Sequence, residues 1–145
     1  MSTVLTPSTS LDTRHRELWR LAPGSHLAVA LDRHRVAAPV PTTAGTLAID
    51  PETGVGSLTI ALADGALRGI ATRGDRDVHG LALWNVRGSL DVAGRTTKIV
   101  LALRDHGVIR SRGTWWWLSG TGDEYPCGRR PRHGSRIVAD LLLTP

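Results

Sequence analysis

The sequence contains no phenylalanine, and only one cysteine, one tyrosine, one lysine and one methionine among 145 residues. A single thiol excludes an internal disulfide framework. Cys127 has no neighbouring base to raise its nucleophilicity, so it reads as an ordinary loop cysteine. No apolar run approaches the ~20 residues of a membrane-spanning helix. The patterns G-x-x-x-x-G-K, G-x-G-x-x-G, G-x-S-x-G and C-x-x-C do not occur, which argues against nucleotide-dependent chemistry and standard serine hydrolysis. Six histidines (His15, His26, His34, His79, His106 and His133) fall at no metal-binding spacing, so the sequence predicts neither a metal site nor a cofactor. Met1 to Asp12 lacks the basic start and apolar stretch of an export signal, which makes the cytoplasm the expected location.

What remains is a globular composition, 41% hydrophobic and 21% charged, of single-domain length. Residues 1–16 show no periodicity and read as a flexible arm, leaving 17–145 as one folded domain. The net charge is +5, and all but Lys98 of the 18 basic residues are arginine. The densest cluster is Arg129, Arg130, Arg132, His133 and Arg136 around Pro131. A basic loop can hold phosphate. The arginine bias accompanies abundant Ala, Gly, Val and Leu, however, and charge runs are usually solvated faces. The expected partners are therefore an apolar small molecule and, at most, a second copy of the chain, with no nucleic acid and no membrane span.

From Glu17 onward apolar residues alternate with polar or small ones in short runs. Leu27, Val29 and Leu31 form one such face, Leu47 and Ile49 the next, then Leu58, Ile60 and Leu62, followed by Leu90 and Val92, and by Ile99, Leu101 and Leu103. This two-residue period belongs to half-buried strands. Pro51-Glu52-Thr53-Gly54, Asp64-Gly65, Ala93-Gly94 and Asp105-His106-Gly107 read as the turns between them. Val108 to Leu118 reads as one long strand, Arg136 to Leu143 as the last, and Ser119 to Ser135 as a long loop. Asp12 or Thr13 is placed to cap a short helix ending at Leu21. Seven or eight strands with tight turns indicate an all-β antiparallel domain, and periodicity alone leaves sandwich and barrel open.

Trp19-Arg20-Leu21-Ala22-Pro23 leads into Ser25-His26-Leu27-Ala28-Val29; Gly45-Thr46-Leu47-Ala48-Ile49-Asp50 and Leu58-Thr59-Ile60 follow. Arg76-Asp77 then precedes Gly88-Ser89-Leu90-Asp91-Val92-Ala93-Gly94-Arg95-Thr96. In this order, from Trp19 to Leu143, the series resembles the YceI-like family, lipocalin-like barrels associated with polyisoprenoid and related lipid chains. The chain departs from the family pattern in three places. The family's His-Ser pair is inverted here as Ser25-His26, the Phe-rich segment after the Arg-Asp pair is missing, and so is the usual export signal. The resemblance implies a barrel of about 7–8 strands holding an isoprenoid, lipid or polyketide-like chain, with a cavity smaller or more open than a long isoprenoid needs.

Five tryptophans supply nearly all the aromatic surface. Along a strand Trp115 and Trp117 share one face and Trp116 the other. If the paired face is internal, Trp115 and Trp117 line a cavity with Trp84, Leu58, Ile60 and Leu101; otherwise the indoles simply fill a core that lacks Phe. His26, Arg76, Asp77 and Tyr125 are the candidates for acid–base or orienting roles, although each reads first as a surface, turn or structural residue. Two functions fit these features: a carrier for an apolar molecule, or a cofactor-independent cyclase or isomerase of small-molecule biosynthesis using the same cavity.

Overall fold

Alternation of buried and exposed side chains runs through every long strand of the computed structural model, which describes residues 17–30, 37–124 and 136–145. Ten strands result: β1 (Glu17–Leu21), β2 (His26–Ala30), β3 (Ala38–Pro39), β4 (Thr42–Asp50), β5 (Val55–Leu62), β6 (Gly65–Arg73), β7 (Leu83–Val92), β8 (Arg95–Arg110), β9 (Thr114–Glu124) and β10 (Arg136–Thr144). No helix forms among the described residues. All neighbours pair antiparallel, in the order β1-β4-β5-β6-β7-β8-β9-β10, and β1 pairs back onto β10. The fold is therefore a closed eight-stranded antiparallel barrel, with no free edge around its circumference.

β2 and β3 do not add strands to the ring. Leu21 pairs with Leu143 and His26 with Asp140, so β1 and β2 lie end to end along β10. Four residues, Ala22–Ser25, bridge the step on one side while Leu141 and Leu142 span it on the other. The strand therefore bulges there. The bulge leaves the Leu142 backbone without regular ladder partners. Ser25 supplies them: its hydroxyl donates to the Leu142 carbonyl at 3.1 Å and accepts the Leu142 N–H at 2.9 Å, while the Ala22 N–H donates to the same carbonyl at 2.8 Å. β3 and β4 likewise follow one another, along β2 and then β1.

The helix anticipated up to Leu21 is replaced, from Glu17 on, by β1. Trp19 and Leu21 alternate inward there and pack on the core, a two-residue period that a helix could not satisfy. The turn anticipated at Asp105-His106-Gly107 is a bulge within β8. Pairing slips between Asp105 and Val108, and the chain reverses later, at Ser111-Arg112-Gly113. The stretch 108–118 is consequently a hairpin rather than one strand. β9 also continues to Glu124, so the first third of the presumed Ser119–Ser135 loop is paired. The arm 1–16, Leu31 and residues 125–135, with Tyr125, Cys127 and most of the basic cluster, lie outside the described residues.

Eight strands enclose a space just wide enough for side chains to fill. Leu58, Ile60, Leu67, Val86, Leu101 and Ile137 are each at most 1% exposed, so no water-sized space adjoins them. Complete burial of one such side chain contributes roughly 1.5–3 kcal/mol. The barrel's middle is thus a solid apolar core. Small residues let its walls curve: Gly69 faces Gly88 across β6 and β7, and Gly120 sits beside Ala102 of β8.

A Cβ at Gly120 would come to 1.8 Å from the Ala102 carbonyl oxygen, which is backbone and cannot move aside. Gly120→Ala should therefore cost about 3 kcal/mol or more. At Gly54, where φ is +71° but nothing lies within 4 Å, Ala should cost only about 1 kcal/mol. Urea unfolding of both variants checks the contrast; equal losses would mean that strand approach at Gly120 is not limiting.

Candidate functional site

One end of the barrel is where β1, β5, β7 and β9 begin and β4, β6 and β8 finish. There the core gives way to a pocket of about 600 Å³. Trp19 from β1, Trp84 from β7 and Trp116 from β9 project inward side by side. The rings of Trp19 and Trp116 meet edge-to-face with centroids 5.0 Å apart, and those of Trp84 and Trp116 at 5.9 Å. Arg73, directly opposite Trp84 in the ladder, lays its guanidinium over the Trp84 ring at 4.9 Å from the centroid. Glu17, Glu52 and Val108 complete the rim.

Burying indoles requires partners for their N–H groups. Asp105 provides them. Its Oδ1 accepts from Trp116 Nε1 at 2.8 Å and its Oδ2 from Trp84 Nε1 at 3.2 Å. Oδ1 also takes the Gly107 N–H at 2.8 Å, which holds the β8 bulge. The bulge brings Val108 round to the same inner face as Trp116, its ladder partner. One carboxylate thus fixes two indoles and the strand irregularity that shapes the rim.

The sequence left open which face of Trp115–Trp117 lies inside. Trp116 does, at 5% exposure, while Trp117 is 36% exposed on the outer surface with Trp115 on the same side. The parity follows from Leu118, fully buried two residues after Trp116, and polar Ser119 two after Trp117. Trp115 and Trp117, assigned to a cavity on the condition that they point inward, therefore lie outside it. On that outer face His106 stacks on Trp117 with centroids 3.8 Å apart, a 2.7 Å hydrogen bond joins His106 Nε2 to Ser119 Oγ, and Trp117 Nε1 donates to Asp140 Oδ1. His26 is exposed on β2 opposite Asp140. Leu58, Ile60 and Leu101 belong to the solid core, and Trp84 alone of the assigned binding residues borders the pocket.

Arg76 and Asp77 are used within the β6–β7 connection. Arg76 Nη1 donates to the Gly80 carbonyl at 2.6 Å; Asp77 Oδ1 accepts the N–H groups of His79 and Leu81, each at 2.9 Å. Asp77 Oδ2 pairs with Arg104 Nε at 3.0 Å. Burial opposes the Asp77 charge, but the Leu81 and His79 N–H groups and then the Arg104 guanidinium outweigh it and hold the carboxyl below its ordinary value. Tyr125 is outside the described residues. Among the described residues no three His, Cys, Asp or Glu side chains are grouped to hold a metal, and no helix is long and apolar enough to cross a membrane.

No protein-family model matches the chain, and no curated protein matches it either.

Arg73, Glu17, Glu52 and Asp105 escaped the sequence reading. Asp105 was legible only as a turn residue, and the other three join the tryptophans only through strand order. Replacing Asp105 tests its structural share. Asp105→Ala strands two buried indole N–H groups and should lower stability by about 2–4 kcal/mol, whereas Asp105→Asn, which keeps an acceptor, should cost less. Thermal unfolding monitored by near-UV dichroism of the tryptophans reports both; equal losses would show that geometry rather than hydrogen bonding sets the cost.

The depressed Asp77 carboxyl contributes stability that is present above its ordinary value of 3.8 and disappears as pH falls through its lower folded value. Asp77→Asn should therefore be the less stable protein at neutral pH, and its deficit should shrink below about pH 3.8. Melting temperatures recorded from pH 6 down to pH 2 check this; a constant deficit would assign the loss to hydrogen-bond geometry alone.

Proposed function

We propose that the chain binds an apolar small molecule at the tryptophan-lined mouth of its barrel. The observation that carries this reading is a pocket of about 600 Å³ bordered by three contiguous indoles, of which Trp19 is the partly exposed ring while Trp116 and Trp84 show 5% and 2% of their surface. That volume falls within the roughly 300–1,000 Å³ of small-molecule sites. Indole surfaces offer large apolar area at little conformational cost. The YceI-like resemblance adds a ligand class, an isoprenoid, lipid or polyketide-like chain. The solid core beside Leu58, Ile60 and Leu101 limits how such a chain sits. It would seat one end at the mouth rather than thread along the axis.

The same pocket could serve a cyclase or isomerase, which would need a free acid or base at the floor. The carboxylate there, Asp105, already accepts three N–H donors. Glu17 and Glu52 are exposed at the rim. That arrangement favours holding a ligand over transforming it.

Nile red, a neutral polarity-sensitive dye, tests the site. It should bind once per chain and quench tryptophan emission. Val108→Trp fills the pocket from a residue that is 45% exposed, without disturbing the core, and should weaken binding by about tenfold or more, that is, by roughly 1.4 kcal/mol or more. Trp117→Ala, on the outer face, should leave the affinity unchanged. Dye binding that ignores Val108→Trp and responds to Trp117→Ala would move the site to the outer surface. Organic extraction after native mass spectrometry then separates the two chemistries, since a carrier releases its ligand unaltered.

A further inference from the structure

The charges around the mouth do not match those of the chain as a whole. The protein carries a formal +5, yet three carboxylates (Glu17, Glu52 and Asp105) line this pocket against one guanidinium, Arg73. Like charges gathered at a concave site focus the field there and raise the local concentration of the opposite charge. Among the described residues, the lining of this aromatic pocket thus carries a formal excess of negative charge in a basic protein.

The indoles reinforce this. A ring face is the negative side of its quadrupole and attracts cations. Trp84 and Trp116 both direct their N–H edges to the Asp105 carboxylate. A hydrogen bond to an anion polarises its donor, which pushes electron density from the N–H edge into the ring and makes the faces more negative. Asp105 thus acts on a bound cation twice, by its own charge and through the rings it holds.

The third observation is Arg73 itself. Its guanidinium rests 4.9 Å from the Trp84 ring centroid, on an exposed side chain with rotamers to spare. It occupies the position a ligand cation would take, and it can swing away.

We propose that the mouth selects a ligand with a positively charged head, an alkylammonium or similar organic cation on an apolar body, and that Arg73 is its internal competitor. This deepens the ligand-binding reading and rests on it. Charge decides which end of the ligand enters: the ammonium takes the place of the Arg73 guanidinium over Trp84, a ring 2% exposed while Arg73 covers it, with Glu17 and Glu52 beside it, and the apolar body lies against Trp19 and Val108. Among the described residues, an anion would have Arg73 as its sole positive partner in the pocket lining and three carboxylates to repel it.

The test compares choline with its uncharged carbon isostere, 3,3-dimethyl-1-butanol, and with benzoate, each displacing Nile red from the full chain. Choline should bind roughly five- to thirtyfold tighter than the isostere, the range expected for a cation over aromatic faces. Its advantage should shrink as salt is raised from 20 to 300 mM, because exposed charges are screened. The double variant Glu17→Gln/Glu52→Gln should weaken choline and leave the isostere unchanged. Arg73→Ala should strengthen choline. All three residues are exposed, so these variants should fold, and melting temperatures confirm it. An isostere that binds as tightly as choline, benzoate that binds best, or Arg73→Ala weakening choline would overturn the proposal. If the dye and the isostere bind while choline does not, the mouth is a neutral apolar site and only the charge selection falls. If Nile red itself fails to bind, the ligand-binding reading falls, and this inference with it.

Discussion

Two buried indole N–H groups, one on β7 and one on β9, end on the same carboxylate of β8, and the arrangement of the barrel mouth follows from that contact. Asp105 reaches both Trp84 and Trp116 while also accepting the Gly107 N–H, two residues further along its own strand. The bulge between Asp105 and Val108 makes this geometry available. Beyond it Val108 lines the pocket, and the chain reverses at Ser111–Gly113. Without an acceptor at this point, two tryptophans at one end of a Phe-free core would carry unpaired polar atoms, each costing about 1–3 kcal/mol.

The position of the pocket follows from how the rest of the interior is filled. An eight-stranded barrel can hold either side chains or a ligand along its axis, and this one is filled by leucine, isoleucine and valine from the eight ring strands and β2. Space is left at the end of the barrel, beyond the last core layer. Three indoles close that layer edge-to-face, at 61° and 73° between planes, an arrangement aromatic rings favour, and the open volume lies between them and the rim. Core and pocket are then the same face of the same strands at different heights. Closure depends on the opposite problem, the bulge at Ala22–Ser25, where Ser25 replaces the backbone partners that Leu142 would otherwise lack.

The sequence made the strands legible and the site only partly so. Alternation in 45–50, 58–62, 88–92 and 97–103 survives into the structure because each of these runs buries one face. It failed where an apolar face and a turn signal overlapped. Asp105-His106-Gly107 has the composition of a reversal, but the carboxylate that would have capped a turn is used by indoles from two other strands, which no local pattern records. The Trp115–Trp117 triplet carried its answer in its neighbours. Leu118 continues the face of Trp116 and Ser119 that of Trp117, so the single tryptophan was the inward one. Arg73, Glu17 and Glu52 had no such signal, being separated by 21 residues or more and joined only by the ring order of β1, β4, β5 and β6.

β9 shows how one strand separates two chemistries. Inward, Trp116 shares Asp105 with Trp84 and opens onto space large enough for a ligand. Outward, Trp117 is covered on one side by the stacked His106 ring and tied at its N–H to Asp140. The outer indole has its polar atom satisfied and one ring face occupied, so it behaves as surface packing across β8, β9 and β10. Inward, Trp84 and Trp116 have their N–H groups satisfied in the same way, but these rings and the partly exposed Trp19 border a cavity rimmed by charged side chains. The difference between a structural tryptophan and a binding one here lies less in the side chain than in what faces it. Because Asp105 both stabilises the fold and sets the electrostatics of the pocket, changes at Asp105 mix stability with affinity. The rim residues Glu17, Glu52 and Arg73, which the fold does not need, can report on ligand charge alone.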